Sequence, residues 1–230
     1  LPTDPLTEAK QILEAAGQEV QKAVLSWLRN RHPIHPLEAQ WGVPAEVILE
    51  AIARSPDLSQ RGVRGLIAEA YFDQMVSNGI SGWVKDTPPG NHAFDCVLRR
   101  DDERVRIQVK SQRRLRGLPM TARQAYRSFS SDKFVVETQK TRAGSDGLGA
   151  DTRPYRFSDF DILAVCMEAS TGDWTQFRYV PARWLIPRPN DSNLMMKFQP
   201  VSLEENEDWT SRLEVAIERH LSGVVRTIAP

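Results

Sequence analysis

Apolar residues recur every three to four positions along the first quarter of this chain and then, further on, every second position. Up to Arg31 the stripe is Ala9, Ile12, Leu13, Ala16, Val20, Val24, Trp27 and Leu28, which predicts one amphipathic helix. Asp4 is placed to cap it and Pro5 fits its first turn. RHPIHP interrupts the stripe. Pro36 then opens a short helix, Gly42 closes it and Pro44 opens the next, with Leu37, Trp41, Val43, Val47, Ile48, Ala51 and Ile52 as the apolar set. Beyond Ser55-Pro56-Asp57, the stretch SQRGVRGLIAEAYFDQMV predicts a further helix. It puts Val63, Leu66, Ile67 and Ala70 on one face, Glu69 at the edge and Asp73 one turn on. Ser77-Asn78-Gly79 ends it.

After Gly79 the period changes to two. Ile80 to Lys85 predicts a strand, and Thr87-Pro88-Pro89-Gly90-Asn91 a turn. Phe94, Cys96 and Leu98 then alternate with Asp95, Val97 and Arg99. Asp101-Asp102-Glu103 turns the chain. From Arg104 to Lys110 the alternation is strict, with Val105, Ile107 and Val109 against Arg104, Arg106, Gln108 and Lys110. Two alternating runs about a short polar turn predict an antiparallel hairpin. Further strands are expected over Lys133 to Thr138, Phe160 to Met167 and Trp174 to Val180, with a short helix over Thr121 to Phe129. A helix is expected to begin at Pro181-Ala182-Arg183-Trp184, and Arg188 to Pro200 to be irregular. The last helix is expected from Trp209 to Leu221, with Leu213, Ala216, Ile217 and Leu221 inward and a cap near Asp208 or Thr210. These elements predict an N-terminal helical unit over 1–58 and an α/β domain over 59–230.

Composition narrows the setting. The chain has 230 residues, 40% of them hydrophobic, enough for a buried core. No apolar run reaches membrane-spanning length and no signal peptide is read. Cys96 and Cys166 both fall in predicted strands, so buried thiols in a reducing, cytoplasmic setting are expected. Neither they nor the His residues have zinc-ligand spacing. Net charge is zero, but Arg99 to Arg142 carries thirteen Lys or Arg against five Asp or Glu. A local basic excess of that kind suits a polyanion.

Candidate chemistry sits on the hairpin. If its polar faces align, Asp95, Gln108 and Lys110 project from one side of one sheet. Asp95 can supply a carboxylate and Gln108 an amide oxygen to a magnesium ion, which prefers hard oxygen ligands. Lys110 can hold or help deprotonate an attacking water and offset charge on a phosphodiester. A solvated hairpin face would read the same way. Glu69 and Asp73 form a like-charged pair that a cation would relieve.

The order helix with Glu69, strand, Asp95, Gln108-Val109-Lys110 and then a basic loop resembles the PD-(D/E)xK superfamily, the restriction-endonuclease-like nucleases, over roughly residues 60 to 185. The family's Pro-Asp is Phe94-Asp95 here, and its second acidic residue is Gln108. The resemblance implies a restriction-endonuclease-like core with a central mixed β-sheet flanked by helices, Mg²⁺ as cofactor and double-stranded DNA as substrate, with products carrying a 5′ phosphate. It implies Asp95, Gln108 and Glu69 as metal ligands and Lys110 as the catalytic lysine. A type II restriction enzyme is the expectation, and palindromic sites favour a homodimer. A repair, junction-resolving or modification-dependent nuclease would share the same site.

Phosphate or base contacts are expected from Ser111, Gln112, Arg113, Arg114 and Arg116, and from Gln139, Lys140, Thr141, Arg142, Thr152, Arg153 and Tyr155 in and around the Gly-rich segment. The Pro36–Ile52 region is similar to a helix-turn-helix. Its Ala45, Glu46 and Glu50 are poor base readers, which favours a supporting or dimerising role. A non-catalytic DNA-binding regulator is the rival from another class.

Overall fold

The computed structural model describes residues 4–77, 79–86, 88–90, 92–140 and 153–230. The chain divides into two compact units, Leu1–Gln60 and Arg61–Pro230.

The first unit holds α1 (Pro5–Ala15), α2 (Gln18–Arg31), α3 (Pro36–Trp41) and α4 (Ala45–Arg54). One helix was expected before Arg31; there are two. Ala16 and Gly17 both take extended conformations. The Gln21 amide donates to the carbonyls of Leu13 (2.9 Å) and Ala16 (3.1 Å), so the open end of α1 is satisfied where it stops. Asp4 caps α1 by accepting from the Thr7 N–H at 3.3 Å. Gly42 turns between α3 and α4 at φ 65°, a conformation that favours glycine. Arg29 ties α2 to its successors through Glu38 (3.0 Å) and Glu46 (2.8 Å). No residue of these four helices is buried.

Helix α5 (Asp57–Ser77) leads into the second unit. Its strands and helices are β1 (Val84–Lys85), β2 (Cys96–Arg100), β3 (Glu103–Ser111), β4 (Arg114–Leu115), β5 (Leu118–Pro119), α6 (Ala122–Ala125), β6 (Phe134–Glu137), β7 (Ile162–Cys166), α7 (Glu168–Thr171), β8 (Phe177–Pro181), β9 (Pro187–Arg188), β10 (Asp191–Met195), β11 (Phe198–Val201) and α8 (Leu213–Leu221). The fold is α/β, with a mixed five-stranded sheet in the order β1-β2-β3-β7-β8. Only β3 and β7 run parallel, with Gln108 beside Leu163 and Lys110 beside Val165. The uninterrupted apolar run Ile162 to Cys166 explains the position of β7. Every residue of it is buried, as a strand covered on both faces requires.

One face of the sheet presents Val105, Ile107, Val109, Ile162, Ala164 and Cys166. Ala68, Phe72 and Val76 of α5 and Leu213, Ala216 and Ile217 of α8 cover it. The other face presents Leu163, Val165 and Val180 to Tyr155, Phe160, Trp184, Met195, Val201 and Trp209. Cys96 and Cys166 are buried free thiols, and burial pushes Cys166 up to about 11. Among the described residues, no helix is long and apolar enough to cross a membrane.

Several elements differ from expectation. Strand β6 lies outside the central sheet and pairs with β11. Arg188 to Pro200, expected to be irregular, contributes β10 and part of β11, and β10 pairs with β9. Ile80 to Lys85 shrinks to a bridge between Ile80 and Trp83 plus the two residues of β1. Residues 182–184 make one 3-10 turn and no longer helix. Helix α8 starts at Leu213 behind Arg212, with no side-chain cap, and Leu221 stays exposed. Asp208, expected near that cap, instead binds the C-terminal segment through Arg226 (2.5 Å) and the Ala229 N–H (3.0 Å). Phe94, expected beside Cys96 and Leu98, packs into the opposite core, because the strand begins only at Cys96.

Candidate active site

Strand pairing sets the centre. Cys96 lies opposite Ile107, and the Asp95 N–H donates to the Ile107 carbonyl at 2.9 Å. That places the Asp95 side chain on the face of Gln108, since facing residues of an antiparallel pair point the same way. One carboxylate oxygen of Asp95, Oδ2, accepts from the Val109 N–H (2.8 Å) and from the Gln108 amide. The same Gln108 nitrogen donates to the Val109 carbonyl at 3.0 Å. Both partners of that nitrogen are acceptors, so the amide orientation is fixed and Oε1 is turned away from them. Gln108 is 2% exposed.

Glu69 comes from α5. Its pKa is pushed up to about 7, first by burial and then by the charges of Asp95 and Asp73, with Lys110 opposing. Burial also raises Asp95, against the Val109 N–H and Lys110, while Asp73 adds to the rise. Two half-buried carboxylates therefore crowd one lysine. The cation expected to relieve Asp73 is partly supplied by the protein, because Lys85 on β1 pairs with it at 2.8 Å. Asp95 Oδ1 and the Glu69 carboxylate are the hard oxygen donors that a divalent ion would take here, and Gln108, whose nitrogen faces Asp95, would have to turn its amide over to join them. Among the described residues, no three His, Cys, Asp or Glu side chains gather at one point. An amide would be the third donor here.

The expected nucleic-acid contacts divide sharply. Arg114 is taken up internally, with Glu168 accepting two bonds at 2.7 Å and the Gly117 carbonyl one at 2.8 Å. Gln112 is buried and accepts from Ser170 at 2.8 Å. Tyr155 is 4% exposed. These three therefore face inward, where a solvent-facing position was expected. The Ser111 hydroxyl donates to the Arg64 carbonyl at 3.4 Å, Arg113 lies 3.6 Å from Glu137, and Lys140 lies 3.2 Å from Asp159. Gln139 bridges to Pro154, and Arg153 is half-buried. Arg116 is exposed at the tip of the β4–β5 turn, at φ 52°. Thr141, Arg142 and Thr152 lie outside the described residues. Much of the basic excess is thus neutralised locally; Arg106, for example, pairs with Asp161 at 2.8 Å.

Two contacts had no sequence signal. The Val109 N–H is a backbone group whose role depends on strand register. Lys85 is an isolated lysine in a weak strand.

No protein family matches the sequence, and no curated protein matches it. Among solved structures, a bacterial homing endonuclease (I-Ssp6803I) is similar at 19% identity and a TM-score of 0.40, over 70% of this chain and 94% of that one.

Proposed function

We propose that the chain is a Mg²⁺-dependent endonuclease of the PD-(D/E)xK type that hydrolyses phosphodiester bonds of double-stranded DNA at a specific site, as a type II restriction enzyme does. The observation that carries this reading is that Asp95, Gln108 and Lys110 share one face of the hairpin, with Glu69 of α5 near enough to feel the charges of Asp95 and Lys110. Asp95 is clamped through one oxygen with the other left over, Glu69 is crowded enough to sit at about 7, and the charge of Lys110 acts on both.

When bound, a magnesium ion supplies positive charge against the scissile phosphate. Asp95 Oδ1 and Glu69 are the groups that would hold it, with Gln108 joining through Oε1 only if its amide turns over. The Val109 N–H and the Gln108 amide keep the Asp95 carboxylate from rotating. The Lys110 ammonium orients the attacking water by donating to its oxygen, and it offsets charge as the phosphorus becomes five-coordinate. Arg116, exposed at the tip of the β4–β5 turn, is a candidate to meet a backbone phosphate. A twofold dimer would present two such centres to a palindrome, and the unburied apolar stripes of α1 and α2 are candidate contact surfaces.

The test is incubation with unmethylated DNA of known sequence and Mg²⁺, with fragment ends mapped. Discrete ends support site-specific cleavage, and a smear supports a nonspecific nuclease. A second reading, a non-catalytic DNA binder, draws on the Gln108–Asp95 bond, which satisfies Asp95 without any ion. That reading requires DNA affinity and no cleavage by the native protein.

A further inference from the structure

A cleft of about 530 Å³ opens in the second unit, away from the proposed metal ligands. The segment before β7, the turn after β8, strand β10 and the C-terminal segment each supply a wall. Arg156, Arg183 and Arg226 line it together with Asn193 and Thr227, and no carboxylate lines it among the described residues. Elsewhere the chain neutralises its arginines, as Asp161 does Arg106 and Glu168 does Arg114. Arg226 follows that habit through Asp208.

The other two do not. Arg183 commits one nitrogen, Nη2, which donates to the His220 carbonyl and lies 3.0 Å from the His220 ring nitrogen Nδ1. Neither acceptor carries a negative charge, so the guanidinium is held in place without being cancelled. Arg156 is fixed by its backbone, which bridges to Leu194 and donates its N–H to Asp159 at 3.1 Å. The same Asp159 oxygen pairs with Lys140. Among the described residues the Arg156 guanidinium has no partner. Two uncancelled guanidinium forks beside neutral donors match the oxygens of a phosphodiester.

The cleft also lies within reach of a strand crossing the catalytic centre. Ser158, on its wall, accepts through its carbonyl from Arg106 Nη1 at 2.7 Å. Arg106 and Lys110 leave β3 on the same side, roughly 13 Å apart along the strand. A DNA strand sets down a phosphate about every 3.4 Å of duplex axis. A strand passing Lys110 therefore comes level with the cleft within about four nucleotides.

We infer that this cleft is a backbone-phosphate site for DNA, in which Arg156 and Arg183 hold a phosphodiester outside the catalytic centre. This rests on the proposed action on DNA and adds where the substrate is gripped. Both arginines are positioning residues and touch no reacting atom.

The test is duplex binding by Arg156→Gln and Arg183→Gln, titrated with Ca²⁺ in place of Mg²⁺ over a range of salt. Each variant should weaken binding several-fold and lower the slope of log affinity against log salt by about 1. Single-turnover cleavage at saturating DNA should stay native. Arg156→Gln removes no internal contact, so it decides the matter if Arg183→Gln disturbs folding. Native slopes in a protein that binds and cleaves DNA overturn this inference alone. Calorimetric binding of a 5′-mononucleotide that is lost in both variants, with duplex slopes still native, would give the cleft to a free nucleotide and overturn it too. If the native protein binds duplex without cleaving it and the variants still lower the slope, the nuclease reading fails and this inference stands.

Discussion

Val105, Ile107 and Val109 leave β3 on one side, and Arg106, Gln108 and Lys110 leave it on the other. The first three are buried against α5 and α8 and make no polar contact through their side chains. The second three each meet something specific: Arg106 pairs with Asp161, Gln108 donates to Asp95, and the Lys110 ammonium lies 5.3 Å from the centre of the Tyr155 ring. A single strand thus serves as hydrophobic anchor and chemical platform, and the two duties do not share a residue. Side chains on the apolar face should therefore matter for folding alone. Those on the polar face should matter for chemistry, with Arg106 as an exception at the end remote from the site.

Substitutions can break or sharpen this division. The largest effect belongs to Asp95→Ala, which should lower cleavage by about a thousandfold or more while DNA binding persists. The check is single-turnover cleavage beside a binding titration in Ca²⁺. Equal loss of both would place Asp95 in folding instead.

Next is Ile107→Ala on the apolar face. It should cost roughly 3 kcal/mol of stability through cavity formation, measured by urea unfolding. Specific activity per folded molecule should hold, and a drop in it would erase the contrast between the faces.

Asp161→Asn tests the exception. Burial tends to raise Asp161, but hydrogen bonds and charge from Arg106 outweigh it and hold the carboxyl below its ordinary 3.8. A depressed folded value means that this stabilisation is present above the unfolded value and is lost as pH falls through the folded one. The Asn variant should lose roughly 2 kcal/mol at neutral pH and show a weaker acid dependence of its melting temperature. Cleavage should be unchanged.

Glu69 reverses that sign. Its folded value of about 7 lies above the ordinary 4.5 of a glutamate, so metal-free protein should lose stability as pH rises from 4.5 to about 7 and level off beyond. A divalent ion competes with that proton. Calorimetric Mg²⁺ affinity should rise about tenfold per pH unit at most below 7 and flatten above it, and Glu69→Gln should abolish the slope. The smallest effect is expected from Arg114→Ala. Its guanidinium is already occupied by Glu168, so DNA affinity should change less than about twofold.

Strict alternation from Arg104 to Lys110 made the platform legible, because period two assigns faces without knowledge of any partner strand. The continuous apolar run at Ile162 to Cys166 marked a buried strand for a different reason: a strand covered on both faces has no polar side to alternate with. What could not be read depended on partners far along the chain. Asp191-Ser192-Asn193 is exposed and polar, so β10 carries no alternation; its pairing with β9 is a matter of the backbone. Phe94 was assigned a face by extending the alternation beyond the residue where the ladder begins. The stripe through Ala16 and Val20 suggested one helix because the apolar spacing survives a break at Gly17. Tyr155 and Arg114, polar and near basic neighbours, looked like surface groups until Phe160 and Glu168 were seen beside them.

One of the two groups that orient Asp95 is the peptide N–H of Val109. No exchange of side chains can delete a main-chain donor, short of proline at that position. The carboxylate should consequently keep its aim through wide drift in the residues around it. Gln108 could then be varied, by mutation or over evolution, without disarming its neighbour.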